Sequence, residues 1–321
     1  MVPLSSSLTF ILAAWPLLAS GTKLPKRGLA FALPKNPTAT DIDNAAVDIT
    51  KANQSTGAVS WVYNWNITAP DYLADSGLEF VPMQWNGVGI ENLAATVKQL
   101  GAKYVLAFNE PDSSLQANMT PETAASLWMQ YFEPLKTEDS TIQLGAPAVT
   151  SNGTGIPWLQ KFMTECATCT IDFIPFHWYG MGSASFYQYL YEFNSLFPSY
   201  PLWITEYADT TLTDEAMTAF MDTTLTGEST HPLDDIDFVE RYAWFAYERT
   251  QTDGFHYYLM DAQGDLTTAG QKYVLGLDAP PSAVRKRVDV PTNYDLWVFA
   301  SDEPRLIYIS LKFFEFTDHD Y

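Results

Sequence analysis

The sequence predicts a (β/α)₈ TIM barrel, an α/β fold. Eight short apolar runs, rich in β-branched and aromatic residues, alternate with amphipathic stretches. Near-continuous apolar runs of this length are typical of strands buried in a parallel sheet, and eight such units over roughly 250 residues have the size of one barrel. A doubly wound open sheet is the alternative, but it would need a glycine-rich phosphate loop or a switch-point crevice, and the chain contains no G-x-G-x-x-G.

The apolar runs define the predicted strands, which are residues 28–33, 59–63, 78–85, 104–108, 142–149, 171–178, 202–206 and 255–260. Between them, residues 90–100 carry apolar side chains at helical spacing and are closed by Gly101. Thr120-Pro121-Glu122 has the cap and first-turn proline of a helix that runs toward Leu135. The aromatic-rich segment 238–247 is predicted to be a further helix.

The two ends of the chain are interpreted separately from the barrel at residues 28–277. Residues 1–21 have the apolar run and small residues of a secretion signal, although no Lys or Arg precedes the run. Residues 22–27 form a short pro-like segment whose Lys26-Arg27 pair is either a processing site or simply two solvated charges. Residues 278–321 contain a linker and a tail of unassigned structure.

Four sequons support export, and together with the leader they predict a secreted, extracellular or cell-wall glycoprotein. Their acceptor residues are Asn53, Asn66, Asn118 and Asn152. The two cysteines, Cys166 and Cys169, form a C-x-x-C without a second pair for zinc or a thioredoxin-like setting. A local disulfide is the better interpretation in a secreted protein.

The composition limits the possible partners. The formal net charge is −21, which disfavours nucleic acid and anionic membranes but is compatible with a neutral substrate. Aromatic residues make up 15% of the chain, and they serve either as a large core or as platforms on which sugars stack. We expect a monomer with no membrane span in the mature chain.

Two carboxylates follow predicted strands directly. Asn109-Glu110-Pro111 closes the fourth run, and Glu206 closes the seventh. Active sites of such barrels lie at the carboxyl ends of the strands, and an acidic side chain in an apolar rim is costly unless it has a function. Two carboxylates facing each other are what glycoside cleavage requires, one as an acid and one ionised. A lone glutamate, by contrast, is more often a salt-bridge or loop residue.

The sequence resembles glycoside hydrolase family 128, the fungal and bacterial β-1,3-glucanases, within the clan A retaining glycosidases. The residues that carry this resemblance lie between about 28 and 277 and comprise 60–65, 80–85, 108–112, 145–148, 172–173 with 177–179, and 203–208. The resemblance implies that Glu110 is the general acid/base, that Glu206 is the nucleophile and that Asn109 binds the sugar 2-hydroxyl. It also implies retention of configuration, which needs carboxyl groups about 5–5.5 Å apart. The β-1,3 linkage rests on the resemblance alone.

Neighbouring residues complete the predicted site. Pro111 is expected to hold Glu110 in extended geometry, and His177 and Tyr179 are placed to donate to Glu206 from the adjacent strand, although His177 is equally compatible with a core role. The aromatic side chains predicted to contact substrate are Trp65, Trp85, Trp178 and Tyr207, whereas Trp203 is expected to pack beneath the helices.

Other functional classes are less well supported. No H-E-x-x-H or tight acidic cluster indicates a metal, no G-x-S-x-G indicates a serine hydrolase, and no cofactor is expected. The rival interpretation is a β-1,3-glucan-binding protein on the same barrel that cuts weakly or not at all. An enzyme is favoured because both glutamates are present. Since one carboxyl must be protonated while the other is ionised, we expect the rate to be highest at acidic pH.

Overall fold

The computed structural model describes residues 25–34, 36–52, 57–74, 76–227 and 231–276, together with a short antiparallel pair of strands beyond them, β9 (Leu296–Phe299) and β10 (Tyr308–Leu311). The predicted leader, the sequon at Asn53 and most of the predicted tail lie outside the described residues. Within the described chain, no helix has both the length and the apolar character needed to cross a membrane.

The core of the molecule is an eight-stranded parallel barrel. Six strands pair in the order β3-β2-β1-β8-β7-β6, and β4 pairs with β5. Parallel bridges between Met83 and Leu106 and between Gly145 and Phe173 join these two sheets and close the ring. The predicted (β/α)₈ fold is therefore confirmed. The strands are β1 (Arg27–Phe31), β2 (Trp61–Tyr63), β3 (Glu79–Phe80), β4 (Tyr104–Leu106), β5 (Gln143–Gly145), β6 (Ile174–Gly180), β7 (Leu202–Asp209) and β8 (Val239–Tyr247).

Helices surround the barrel as the amphipathic stretches predict. They are α1 (Ala39–Ala52), α2 (Asp71–Ala74), α3 (Leu93–Leu100), α4 (Pro121–Leu127), α5 (Glu133–Glu138), α6 (Gly155–Glu165), α7 (Ser183–Leu196), α8 (Asp214–Thr226) and α9 (Thr268–Gly270). Gly101 ends α3 with a left-handed φ of 60°. Thr120 caps α4 by accepting from Thr123 N at 3.2 Å, and a π-helical turn joins α4 to α5.

The sequence pattern mispredicts the position of the last barrel strand. Residues 238–247, predicted as a helix, contain β8, whereas 255–260, predicted as a strand, lie in the connection that follows it. The charged pair Glu240-Arg241 obscures the strand pattern. Both have a partner in the barrel, since Trp203 Nε1 donates to Glu240 and Arg241 Nη2 pairs with Glu79 at 2.7 Å. Aromatic residues favour a strand once pairing partners exist on both sides.

A distinct apolar cluster fills the barrel interior. Its buried members are Ala30, Trp61, Tyr63, Val81, Met83, Leu106, Phe173, Trp203 and Ala243. Trp203 stacks on Phe173 with ring centroids 4.1 Å apart, so the prediction that it packs beneath the helices is wrong. The guanidinium of Arg241 lies 4.6 Å from the centre of the Trp203 ring. The interior of the barrel is therefore packed with large side chains.

The basic pair at the start of the barrel is part of the fold. Arg27 lies in β1 and is only 2% exposed; its Nε donates to the Tyr242 hydroxyl at 3.0 Å and its Nη1 donates to the Tyr273 carbonyl at 3.0 Å. Lys26 Nζ donates to the carbonyl of Ile236. The interpretation of Arg27 as a solvated charge is therefore wrong, and the barrel begins one residue earlier than predicted. Cys166 and Cys169 form a disulfide after α6.

Candidate active site

Glu110 and Glu206 converge at the carboxyl end of the barrel. Glu110 follows β4 and Glu206 lies within β7, and the side chain of His177 from β6 stands between them. One ligand-type atom from each of the three side chains lies within 4.8 Å of the other two. The two carboxylates are 12% and 7% exposed, and His177 is fully buried. Two acids far apart in the sequence thus share one pocket.

The backbone of Glu110 is left-handed. Its φ is 44°, so the expectation that Pro111 holds it in extended geometry is wrong. The Glu110 N–H donates to the Ala148 carbonyl at 2.7 Å, which ties the turn to the segment that follows β5. A positive φ is unfavourable for a residue with a Cβ and persists where surrounding contacts impose it, often at functional sites. The turn after β4 aims this carboxylate.

Glu206 is surrounded by donors. Tyr179 donates its hydroxyl to Oε2 at 2.5 Å, and the indole N–H of Trp65 donates to Oε1 at 2.8 Å. The Tyr63 hydroxyl lies 3.5 Å from Oε1. Burial raises the pKa of the Tyr179 and Tyr63 hydroxyls, so both stay protonated and can donate. The prediction that Tyr179 donates to Glu206 agrees with this geometry, whereas nothing in the sequence pattern predicts a contact from Tyr63.

His177 contacts both carboxylates. Its Nδ1 lies 2.7 Å from Glu110 Oε1, and its Nε2 lies 3.3 Å from Glu206 Oε1. The second contact is ionic, since Nε2 has no hydrogen-bond partner within the described part of the chain. Burial alone lowers the pKa of His177, but the charges of Glu206 and Glu110 outweigh burial and raise it above its ordinary value. The imidazole is therefore a cation over the acidic range.

The electrostatics of Glu206 reflect competing effects. Burial raises its pKa above the ordinary value, and the negative charge of Glu110 adds to this rise. The charge of His177 and the hydrogen bonds from Tyr179 and Trp65 favour the ionised form and therefore oppose this rise in the pKa. Glu206 is thus a buried carboxylate whose ionisation depends on its neighbours.

The predicted sugar-binding aromatic residues divide into two groups. Trp65 and Trp85 are half-buried and pack against the interior cluster of the barrel. Trp178 and Tyr207 are buried outside the barrel, where Trp178 stacks on Phe220 of α8 and Tyr207 stacks on Phe186 of α7. The prediction that these last two line the cleft is wrong.

A bulge in β7 explains why Tyr207 faces away from the cleft. Phe176 pairs with Ile204, but the next pair is His177 with Glu206, so Thr205 is an extra residue in β7. Side chains alternate along a strand, and one extra residue reverses which of them face inward. Glu206 therefore faces the barrel interior and Tyr207 faces the helices. Along β6 the alternation is regular, and Trp178 faces outward between the inward His177 and Tyr179.

Two further residues complete the pocket. Phe245 of β8 packs edge-on against Tyr179 at 5.3 Å and against Trp65 at 6.0 Å between ring centroids. It was missed because its segment was predicted to be helical. Asn109 is buried and its Nδ2 donates to Gln116 at 3.4 Å, whereas its Oδ1 has no hydrogen-bond partner among the residues described. Burial of an unpaired amide oxygen is unfavourable unless a ligand completes it.

Three predicted glycosylation sites stand at the same end of the barrel. Asn66, Asn118 and Asn152 are exposed on the loops that follow β2, β4 and β5. Glycosylation of these residues stays a prediction.

Glu110, His177 and Glu206 are also residue types that can hold a metal ion. However, Nδ1 of His177 is engaged by Glu110, and both oxygens of Glu206 accept hydrogen bonds. A metal ion would have to displace these partners. The three side chains therefore fit a hydrogen-bonded pair of carboxylates better than a metal site. The expectation that no metal is needed stays a prediction.

A parallel eight-stranded barrel with two converging carboxylates, one after β4 and one within β7, defines the class of barrel glycosidases. Residues 28–273 match the family model described as glycosyl hydrolase catalytic core. The chain belongs to this family.

Solved structures of glycoside hydrolase family 128 share the fold, which confirms the resemblance seen in the sequence. A curdlan-specific exo-β-1,3-glucanase from Blastomyces gilchristii, in complex with glucose, is 33% identical with a TM-score of 0.62, covering 77% of this chain and 97% of that one. An endo-β-1,3-glucanase from Lentinula edodes is 28% identical with a TM-score of 0.62, covering 79% and 99%.

A curated relative is considerably longer than the matched region. Alkali-sensitive linkage protein 1 of Schizosaccharomyces pombe is 33% identical over 222 residues, which cover 67% of this chain. The match spans 40% of that relative's length.

Proposed function

We propose that this protein is a retaining glycoside hydrolase of β-1,3-glucan, with Glu110 as general acid/base and Glu206 as nucleophile. The observation that carries the proposal is the different surroundings of the two carboxylates on either side of His177. Glu206 accepts from Tyr179 and Trp65, whereas Glu110 has its contact to His177 and greater exposure. Donors favour the ionised form that a nucleophile needs.

The first step is formation of a glycosyl-enzyme. A Glu206 oxygen attacks the anomeric carbon, the bond to the glycosidic oxygen breaks, and Glu110 gives its proton to that leaving oxygen. The His177 contact uses Oε1 of Glu110 and leaves Oε2 for the substrate. In the second step Glu110 takes a proton from water, which attacks the same carbon and releases Glu206. Two displacements on one carbon retain its configuration.

The pocket also supports the substrate class. Trp65, Trp85 and Phe245 present half-buried rings on which the apolar face of a neutral sugar can stack. The unpaired Oδ1 of Asn109 is suited to accept from a sugar 2-hydroxyl. The β-1,3 linkage is supported by the specificities named for the related structures.

Chemical rescue of alanine variants tests the two roles separately. With an aryl β-laminaribioside as substrate and azide as external nucleophile, Glu206→Ala should form the α-glycosyl azide, because azide replaces the nucleophile on the opposite face. Glu110→Ala should form the β-glycosyl azide, because azide attacks the trapped glycosyl-enzyme. Reversed products would exchange the roles, and wild-type turnover in both variants would refute the proposal.

Binding without cleavage is the second candidate. Incubation of the wild-type protein with laminari-oligosaccharides distinguishes the two, since new reducing ends support the enzyme and binding without product supports a glucan-binding protein. The same product profile separates endo from exo action, which differs between the two related structures.

We further propose that the protein acts as a secreted monomer at or near a fungal cell wall. The support is the leader-like segment 1–21 and the sequons, of which Asn66, Asn118 and Asn152 are exposed. Peptide mass mapping of the purified protein would locate the mature N-terminus and any glycans. An intact leader with all sequons unmodified would refute this localisation.

A further inference from the structure

The inward orientation of Glu206 depends on the bulge at Thr205. Trp203 lies in the interior cluster and Ile204 packs outside the barrel. With regular alternation Glu206 would share the outward orientation of Ile204. The pairing of β7 with β8 shows the same extra residue. Ile204 pairs with Tyr242 and Tyr207 pairs with Trp244, so two residues of β7 lie opposite one residue of β8. The bulge is thus required for the proposed site.

The Tyr63 side chain contacts the bulge. From β2, three strands away around the ring, its hydroxyl donates to the Thr205 carbonyl at 2.9 Å. The Thr205 side chain does not anchor the bulge itself, since its buried Oγ1 has no hydrogen-bond partner in the described chain. A buried carbonyl outside a regular ladder needs a donor. The Tyr63 hydroxyl supplies one from the interior of the barrel.

The direct contact of Tyr63 with Glu206 is secondary. The hydroxyl lies 3.5 Å from Glu206 Oε1, at the limit of a hydrogen bond, whereas Trp65 and Tyr179 make shorter bonds to the same carboxylate. Tyr63 is completely buried, so it does not contact substrate. Its effect must act through the backbone of residue 205.

We propose that Tyr63 is a positioning residue whose hydroxyl fixes the bulged peptide at Thr205 and thereby aims Glu206 into the pocket. The proposal rests on the proposed function of Glu206 as nucleophile. The aromatic ring of Tyr63 packs between Trp61 and Trp65, with centroid distances of 6.0 and 5.0 Å. Removal of the hydroxyl alone therefore leaves the packing in place.

Tyr63→Phe tests the proposal. We expect kcat to fall by about 10-fold, the effect of one lost hydrogen bond on the barrier, with KM for laminari-oligosaccharides unchanged. The rate of covalent trapping by an activated 2-deoxy-2-fluoro-β-laminaribioside should fall in parallel, because that rate reports attack by Glu206. The acidic limb of kcat/KM against pH should also move to higher pH, since a displaced Glu206 loses stabilising donors.

Tyr104→Phe is the matched control. Tyr104 packs against the interior cluster, with its ring centroid 5.1 Å from that of Trp203, and makes no hydrogen bond to Thr205 within the described chain. Tm is recorded for both variants. Loss of kcat and trapping rate in Tyr63→Phe alone supports the proposal. Equal kinetics in both variants, or a Tyr63→Phe chain that does not fold, would assign the hydroxyl to barrel stability and overturn it. Absence of hydrolysis by the wild-type protein would instead overturn the proposed function.

Discussion

Trp65 donates its indole N–H to Oε1 of Glu206 over 2.8 Å, from a backbone with a φ of 59°. A left-handed tryptophan is unusual, and here the conformation delivers a donor to the buried carboxylate. Together with Tyr179 on Oε2, it engages both oxygens of the proposed nucleophile.

Trp65→Phe should reduce kcat/KM for laminari-oligosaccharides by about 10- to 100-fold. A hydrogen bond to a charged group contributes about 1.5–3 kcal/mol, and the charge on Glu206 changes during attack. Trp158→Phe is the matched control, because its indole, in α6, donates to the Met119 carbonyl at 2.8 Å and makes no hydrogen bond to Glu206 within the described chain. Similar kinetic losses in the two variants would contradict a specific role for Trp65.

The pH profile should respond to His177. Because burial raises the pKa of Glu206, activity should be lost as pH falls through a value above the ordinary carboxyl pKa, when the proposed nucleophile becomes protonated. His177 is cationic in this range and stabilises ionised Glu206. In His177→Asn the pKa of Glu206 should therefore rise further.

The measurement is kcat/KM against pH for wild type and His177→Asn. The acidic limb should move upward by about one pH unit or more, the size of shift expected from a close opposite charge. Circular dichroism at each pH controls for unfolding. An unmoved limb in a folded variant would show that His177 does not support the ionisation of Glu206.

Alanine substitution of Trp178 should mainly reduce stability, whereas alanine substitution of Trp85 should mainly weaken substrate binding. Trp178 is buried against Phe186 and Phe220, so Trp178→Ala should cost about 3–5 kcal/mol of unfolding free energy, measured by denaturant titration. Trp85 is half-buried in the segment after β3, where its carbonyl accepts from the Asn109 N–H at 2.9 Å, so Trp85→Ala should raise KM with a smaller loss of stability. The opposite pattern would place Trp178 in the cleft.

Glu248 should make stability depend on pH. It follows β8, and burial together with the charge of Asp253 raises its pKa from 4.5 to about 7. Between these values the folded protein holds a proton that the unfolded chain has lost. This contribution to stability is therefore present below pH 4.5 and is lost as pH rises to about 7.

Glu248→Gln removes this titration, so the decline of Tm from pH 4.5 to about 7 should be smaller than in wild type. The control is Glu91→Gln, an exposed carboxyl, which should retain the wild-type slope. Parallel curves for wild type and Glu248→Gln would contradict the raised pKa.

Several features followed from local sequence. Apolar runs predicted seven of the eight barrel strands, and the acidic residues closing the fourth and seventh runs identified the converging pair Glu110 and Glu206. The sequence also predicted the cap at Thr120 and the end of α3 at Gly101, because capping residues and terminating glycines act within one turn of a helix.

Other features required the closed barrel. The strand at Val239–Tyr247 exists because β7 and β1 flank it, and no local pattern distinguishes it from an aromatic helix. The bulge at Thr205 sends Glu206 inward and Tyr207 outward, which alternation alone could not predict. Sequence determined which side chains follow the strands. Tertiary pairing decided which of them face the pocket, because the register between strands sets side-chain direction and depends on residues distant in the chain.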